Sequence, residues 1–169
     1  MADAGDAKDR RSDLFHYHSG EQAHETRRPG RSRKDYRNML KVVVVDNNAI
    51  SRDLLSTILI NGGHDVIGGS NNSSAGLAKV IKLRPQIVCI DVGVGDDGME
   101  MLDTLRAALP KVLLFLVSGK ISEETVQNAL QHGVHGFIVK PFNAITVIAT
   151  IRNTIIKLAR QHRSGADGA

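Results

Sequence analysis

Between residues 39 and 163, short apolar runs alternate with segments whose apolar residues recur at helical spacing. Residues 41–46, Lys-Val-Val-Val-Val-Asp, form a β-branched run of the kind buried on both faces of a parallel sheet. Ile50, Leu54, Leu55, Ile58 and Leu59 follow at a helical period, and Asn61-Gly62-Gly63 predicts the end of that helix. Val66 and Ile67 mark a short polar strand, expected at an edge. Leu77, Val80, Ile81 and Leu83 predict a helix stopped by Pro85. Residues 87–90 are a third buried strand, and Met99, Leu102, Leu105 and Leu109 a helix ended by Pro110. Residues 112–117 form the fourth strand. Ser122 caps the next helix, whose first turn carries Glu123 and Glu124, the sign that suits the positive end of its dipole. Val126, Ala129 and Leu130 are its inward residues and Gly133 closes it. Residues 136–139 are the fifth strand. A long helix then runs from Asn143 to about Arg163, with Ile145, Ile148, Ile151, Ile155 and Leu158 as its inward side. Five successive β–α units predict an α/β, doubly wound parallel sheet with helices on both faces.

The flanks differ. Residues 1–38 are polar and charged, with Leu14, Phe15 and Tyr17 as their only sizeable apolar group, and the composition predicts disorder. Residues 164–169 read the same way. His16, His18 and His24 lack a fourth ligand at convincing spacing for a metal. The formal charge of +4 is spread out: residues 1–38 hold nine Lys/Arg against seven Asp/Glu, and residues 39–163 thirteen against ten. The one concentration is residues 27–34, Arg-Arg-Pro-Gly-Arg-Ser-Arg-Lys, which reads first as a solvated linker and, as the alternative, as a run that touches nucleic acid or an acidic partner. No aromatic residues interleave to stack on bases, so nucleic-acid recognition is not expected. Apolar runs fall far short of the ~20 residues that span a bilayer. No secretory signal is evident, and Cys89 is the single cysteine. The expectation is a cytoplasmic protein without membrane attachment.

In open α/β sheets ligands sit beyond the carboxyl ends of the strands. Those ends read Asp46-Asn47, Asp91, Ser118-Gly119 and Lys140-Pro141. Two carboxylates with an open approach suit a hard cation such as Mg²⁺, and a hydroxyl and an ammonium beside them suit the oxygens of an anionic group. Singly, each has a plainer use: Asp46 or Asn47 as a helix cap, Ser118 as a turn residue, Lys140 as a surface charge. No Gly-rich phosphate loop follows the first strand and no His or Cys nucleophile stands at a strand end, so an enzyme is not expected.

Taken in order, Val-Val-Val-Val-Asp46-Asn47, Ile-Asp91 with Gly98, Val-Ser118-Gly119 and Phe137-Ile-Val-Lys140-Pro141-Phe142 resemble the receiver domain of two-component response regulators. The resemblance covers residues 39–163 and implies a flavodoxin-like strand order 2-1-3-4-5. It implies that Asp91 is the phosphoryl acceptor, taking the group from a histidine kinase or phosphotransfer protein. Asp46, Asp91, Asn47 and the backbone of Gly93 would hold Mg²⁺. Lys140 and Ser118 would meet phosphoryl oxygens, Phe137 would turn inward as Ser118 moves, and the Lys140–Pro141 peptide would be cis.

Two departures stand out. Asn47 occupies the place of a second acid, so the metal should bind weakly. The loop after Asp91 reads Val-Gly-Val-Gly-Asp-Asp-Gly98, with Asp96 and Asp97 as nearby substitutes. The expected function is a stand-alone receiver that signals through a partner or a relay. The surface used would be the fourth helix, fifth strand and fifth helix, taken by a downstream protein or a second copy. The alternative is a degenerate receiver that docks partners without being phosphorylated.

Overall fold

The computed structural model describes residues 39–93 and 97–166. The polar leader with its histidines and basic run, and Asp96, lie outside the described residues, as does the side chain of Asp97. Strands β1 (Lys41–Val45), β2 (Asp65–Ser70), β3 (Ile87–Ile90), β4 (Leu113–Ser118) and β5 (Val134–Val139) alternate with helices α1 (Ala49–Asn61), α2 (Ser74–Leu83), α3 (Asp97–Ala108), α4 (Glu123–Gln131) and α5 (Ala144–Ala166). All strand pairs are parallel and the order is β2-β1-β3-β4-β5. This is the doubly wound fold expected, with β2 at an edge and half-buried throughout.

Side chains on a strand alternate between faces, which divides the core in two. Val43, Val45, Val88, Ile90, Leu114 and Leu116 meet Leu77 and Val80 of α2, Leu102 and Leu105 of α3, and Ala129 of α4. Val42, Val44, Ile87, Cys89, Phe115 and Val117 meet Leu55, Ile58 and Leu59 of α1 and Val147 and Ile151 of α5. The central strands are therefore closed on both sides. Cys89 is wholly enclosed, which pushes its thiol up to about 12 and makes it inert. Phe115 fits because β5 carries Gly136 opposite it: a Cβ there would lie 2.8 Å from the ring.

Four apolar residues of the predicted helical stripes point outward. Ile50, Leu54 and Ile145 are 81 %, 51 % and 83 % exposed. Ile145 sits in the first turn of α5, about 200° around the helix from Val147, which takes the buried place instead. Ile50 and Leu54 form their own stripe beside the buried Leu55–Leu59 arc. Leu130 of α4 is also outward, leaving Ala129 to face the core.

β5 begins two residues earlier than the apolar run suggested, and a register shift explains it. Val134 pairs with Leu114 and Gly136 with Phe115, so His135 is an extra residue. The Leu114 N–H donates to His135 Nδ1 at 3.1 Å, replacing the lost ladder bond. That nitrogen accepts only when unprotonated. Burial, then the nearby Arg106 charge, holds the His135 pKa below its ordinary value. Its contribution to stability is therefore full above about pH 6.5 and is lost as pH falls through the lower folded value. Burial shifts His64 the same way. Urea unfolding should show lower stability at about pH 5 than at about pH 7. In His135→Gln, whose amide oxygen accepts without titrating, that fall should be shallower, and an unchanged slope would remove His135 from the account.

Candidate functional site

Parallel pairing carries the ends of β1 and β3 to the same level. Val45 is opposite Ile90, so Asp46 and Asp91 emerge side by side, and the Asp91 N–H closes the ladder on the Val45 carbonyl at 2.8 Å. Lys140 follows β5, two strands from β3, a distance of about 10 Å. A long flexible side chain can cross that span, and Gly119 after β4 leaves its path clear. The ammonium arrives between both acids: Lys140 Nζ donates to Asp46 Oδ2 at 2.7 Å and to Asp91 Oδ2 at 2.6 Å.

The other carboxylate oxygens are held by backbone. Asp46 Oδ1 accepts the Asn48 N–H at 2.8 Å, and Asp91 Oδ1 accepts the Gly93 N–H at 2.8 Å. Gly93 has φ +73°, a left-handed conformation that suits glycine and folds its N–H back onto the acid. The cap of α1 is Asn48, whose Oδ1 accepts the Ser51 N–H at 3.0 Å, so neither Asp46 nor Asn47 is spent on that task. Arg52 donates to the Asp46 carbonyl at 2.7 Å and steadies the turn. The Lys140–Pro141 peptide is cis.

Asp46 is 4 % exposed. Burial alone would raise its pKa, but the bond from Lys140 and the Asn48 N–H outweigh it and hold the carboxyl below its ordinary value. The enclosed Ser51 hydroxyl, which has no partner in good hydrogen-bond geometry, lies by the same carboxylate and acts in the same sense. Burial likewise works against the charged Lys140, and the bonds to Asp46 and then Asp91 reverse it, raising its pKa.

Not every expected residue points inward. The Ser118 hydroxyl donates to the Lys120 carbonyl at 2.9 Å and accepts the Lys120 N–H at 3.1 Å, serving the turn after β4. Asn47 is exposed and its Oδ1 accepts the Asn72 N–H at 3.0 Å. Phe137 is half-buried against the core shared with α3 and α4. A cleft of about 690 Å³, lined by Asn47, Asn72, Gly93 and Thr104 among others, opens beside the acids. Its contribution from the β2–α2 loop left no mark in the sequence, because that loop is polar and aperiodic.

Two carboxylates drawn together around one ammonium, each oxygen carrying a single bond, have lone pairs left for a hard dication with waters completing its shell. The donor set fits Mg²⁺. Its net charge, two acids less one lysine, is low for the purpose. Among the described residues no group of three or more acidic, histidine or cysteine side chains is placed to hold a metal.

An open α/β sheet in the order β2-β1-β3-β4-β5 with an acid–acid–lysine cluster at its carboxyl edge has the architecture of a receiver domain. Residues 42–152 match the family model of the response regulator receiver domain, and the chain belongs to that family of two-component signalling proteins. It is 28 % identical over 114 residues to the chemotaxis protein CheY of Listeria monocytogenes, covering 67 % of this chain and 96 % of that one. It is 35 % identical over 118 residues to a protein-glutamate methylesterase/protein-glutamine glutaminase of Oceanobacillus iheyensis, covering 68 % of this chain but 33 % of that protein. The solved chemotaxis response regulator CheY4 of Vibrio cholerae superposes with a TM-score of 0.61 at 27 % identity, over 69 % of this chain and 98 % of that one. No helix among the described residues is long and apolar enough to cross a membrane.

Proposed function

We propose that this receiver accepts a phosphoryl group on Asp91 from the phosphohistidine of a histidine kinase or phosphotransfer protein, and passes the change to a partner protein or along a relay. The observation that carries this reading is the Lys140 ammonium held between Asp46 and Asp91. An Asp91 carboxylate oxygen attacks phosphorus, the P–N bond breaks, the imidazole leaves, and an acyl phosphate remains. Lys140 stands ready to exchange one carboxylate bond for a phosphoryl oxygen. Asp46 and Asp91 would hold Mg²⁺, which supplies charge neutralisation at the transferring group.

Ser118 reaches a phosphoryl oxygen only by giving up its two bonds to Lys120. That movement would free space by β4, where Phe137 pairs with Leu116 in register. The output surface of this reading is α4, β5 and α5, whose residues supply Leu130, Val139 and Ile156, three of the six large apolar side chains exposed among the described residues. A downstream protein or a second copy would cover them.

Incubation with a small phosphodonor and Mg²⁺, read by intact mass, should add one phosphoryl group. No addition with either small donor or kinase would sink this reading and favour a phosphorylation-independent docking module. Beryllofluoride should move NMR resonances across α4, β5 and α5, and Phe137→Ala should blunt that response without preventing phosphorylation. Shifts confined to the loops around Asp91 would rule out the Phe137 route.

A further inference from the structure

Asn47 stands where the receiver resemblance implies a metal-binding acid, yet its side-chain oxygen is committed elsewhere. Asn47 Oδ1 accepts the Asn72 N–H at 3.0 Å, joining the β1–α1 turn to the β2–α2 loop across 25 residues of sequence. The remainder of that loop is organised around α2. Asn71 Oδ1 accepts the Ser73 N–H at 3.2 Å and the Ser73 hydroxyl at 2.6 Å, and Ser73 Oγ accepts the Gly76 N–H at 3.1 Å as the cap of the helix. Gly76 is seated so closely that a Cβ there would lie 2.1 Å from the Asn71 carbonyl oxygen. The loop and the first turn of α2 thus form one locally bonded unit. Its base is tied to β1 by the Asp46 N–H on the Ser70 carbonyl at 3.0 Å, and its tip by Asn47.

That tip tie matters because β2 is an edge strand, with a sheet neighbour on one side only. The same loop supplies Asn72 and Ser73, and α2 its first residue, Ser74, to the wall of the cleft beside Gly93. An amide has a single oxygen, and turning it onto Asn72 aims it at the loop. A carboxylate has two and could serve loop and metal together.

We propose that Asn47 is a positioning residue: its amide oxygen fixes the β2–α2 loop beside the acceptor, and metal ligation by side chains falls to Asp46 and Asp91. The metal half of this proposal rests on the Mg²⁺ reading given above. The loop half does not.

The test is ¹⁵N NMR on the full chain, with Mg²⁺ titration and amide hydrogen exchange for wild type, Asn47→Ala and Asn47→Asp. Asn47→Ala should leave Mg²⁺ affinity within about threefold. It should speed exchange of the Asn72 amide at least about fivefold and shift Ser73, Ser74 and Gly76. Asn47→Asp, which keeps an acceptor, should restore Asn72 protection. A loss of about tenfold or more in Mg²⁺ affinity in Asn47→Ala, or an unchanged Asn72 exchange rate, overturns the proposal. Should wild type bind no Mg²⁺, the metal reading fails by itself, and the Asn72 exchange rates still decide the positioning role.

Discussion

Asp91→Asn should lose phosphoryl labelling completely while folding as wild type. Asparagine has nearly the same shape, and its carbonyl oxygen can still accept the Gly93 N–H that Asp91 Oδ1 accepts at 2.8 Å. What disappears is the proposed nucleophile: a neutral amide oxygen does not displace an imidazole from phosphorus. The change also removes a negative charge from beside Asp46, which offsets part of the lost Lys140 bond. Stability should therefore move by no more than about 1 kcal/mol, because the pair is partly open to solvent. Intact mass after donor treatment and a urea titration check both halves. Residual label on Asp91→Asn would place the acceptor elsewhere, with Asp96 and Asp97 the first residues to replace.

Lys140→Met should have the next largest effect, in two opposite directions. Methionine keeps much of the stem, so the path across β4 stays filled, but the ammonium between the carboxylates is gone. Phosphorylation rate should fall by about 10²–10³, the scale for removing one charged group aimed at a developing anion. Mg²⁺ should bind more tightly, by about tenfold, since a competing cation has left a site with two acids. Without metal, the buried Asp46 loses its chief partner, and stability near neutral pH should drop by about 1–2 kcal/mol after allowance for partial exposure.

The pH dependence of that loss has a definite sign. In the wild type the Asp46 pKa is lowered below 3.8, so its contribution is present above that value and is lost as pH falls. In the variant the lowering by Lys140 is gone, so the Asp46 pKa lies higher than in the wild type, and the deficit relative to wild type should shrink as the solution is acidified. Equal Mg²⁺ affinity in both proteins, or a deficit that grows toward low pH, would contradict the role given to Lys140.

The order of elements and the residues standing at the strand ends follow from local pattern along the chain. Strands β1 and β3 are legible because β-branched and apolar runs buried on both faces have no other use in a chain with so few aromatics. Asp46, Asp91, Ser118 and Lys140 were legible because each stands just after, or at the end of, such a run, and parallel strands bring those positions to one edge. Helix limits were legible from Ser122, Pro85 and Gly133, which act on their own neighbours.

Which partner each polar atom takes is set by contacts between elements far apart in the chain. Whether the oxygen of Asn47 meets a metal or the Asn72 N–H depends on where the β2–α2 loop lies, and no local pattern records that. His135 as the acceptor for Leu114 depends on a register shift between two strands. Ile145 continues the helical period of α5 in sequence, yet the sheet lies under Val147 instead. Periodicity reports the repeat of an element and constrains its rotation only to within about one residue, or 100° in a helix. The rotation, and with it the side chains that reach the site, is set by the packing of elements far apart in the chain.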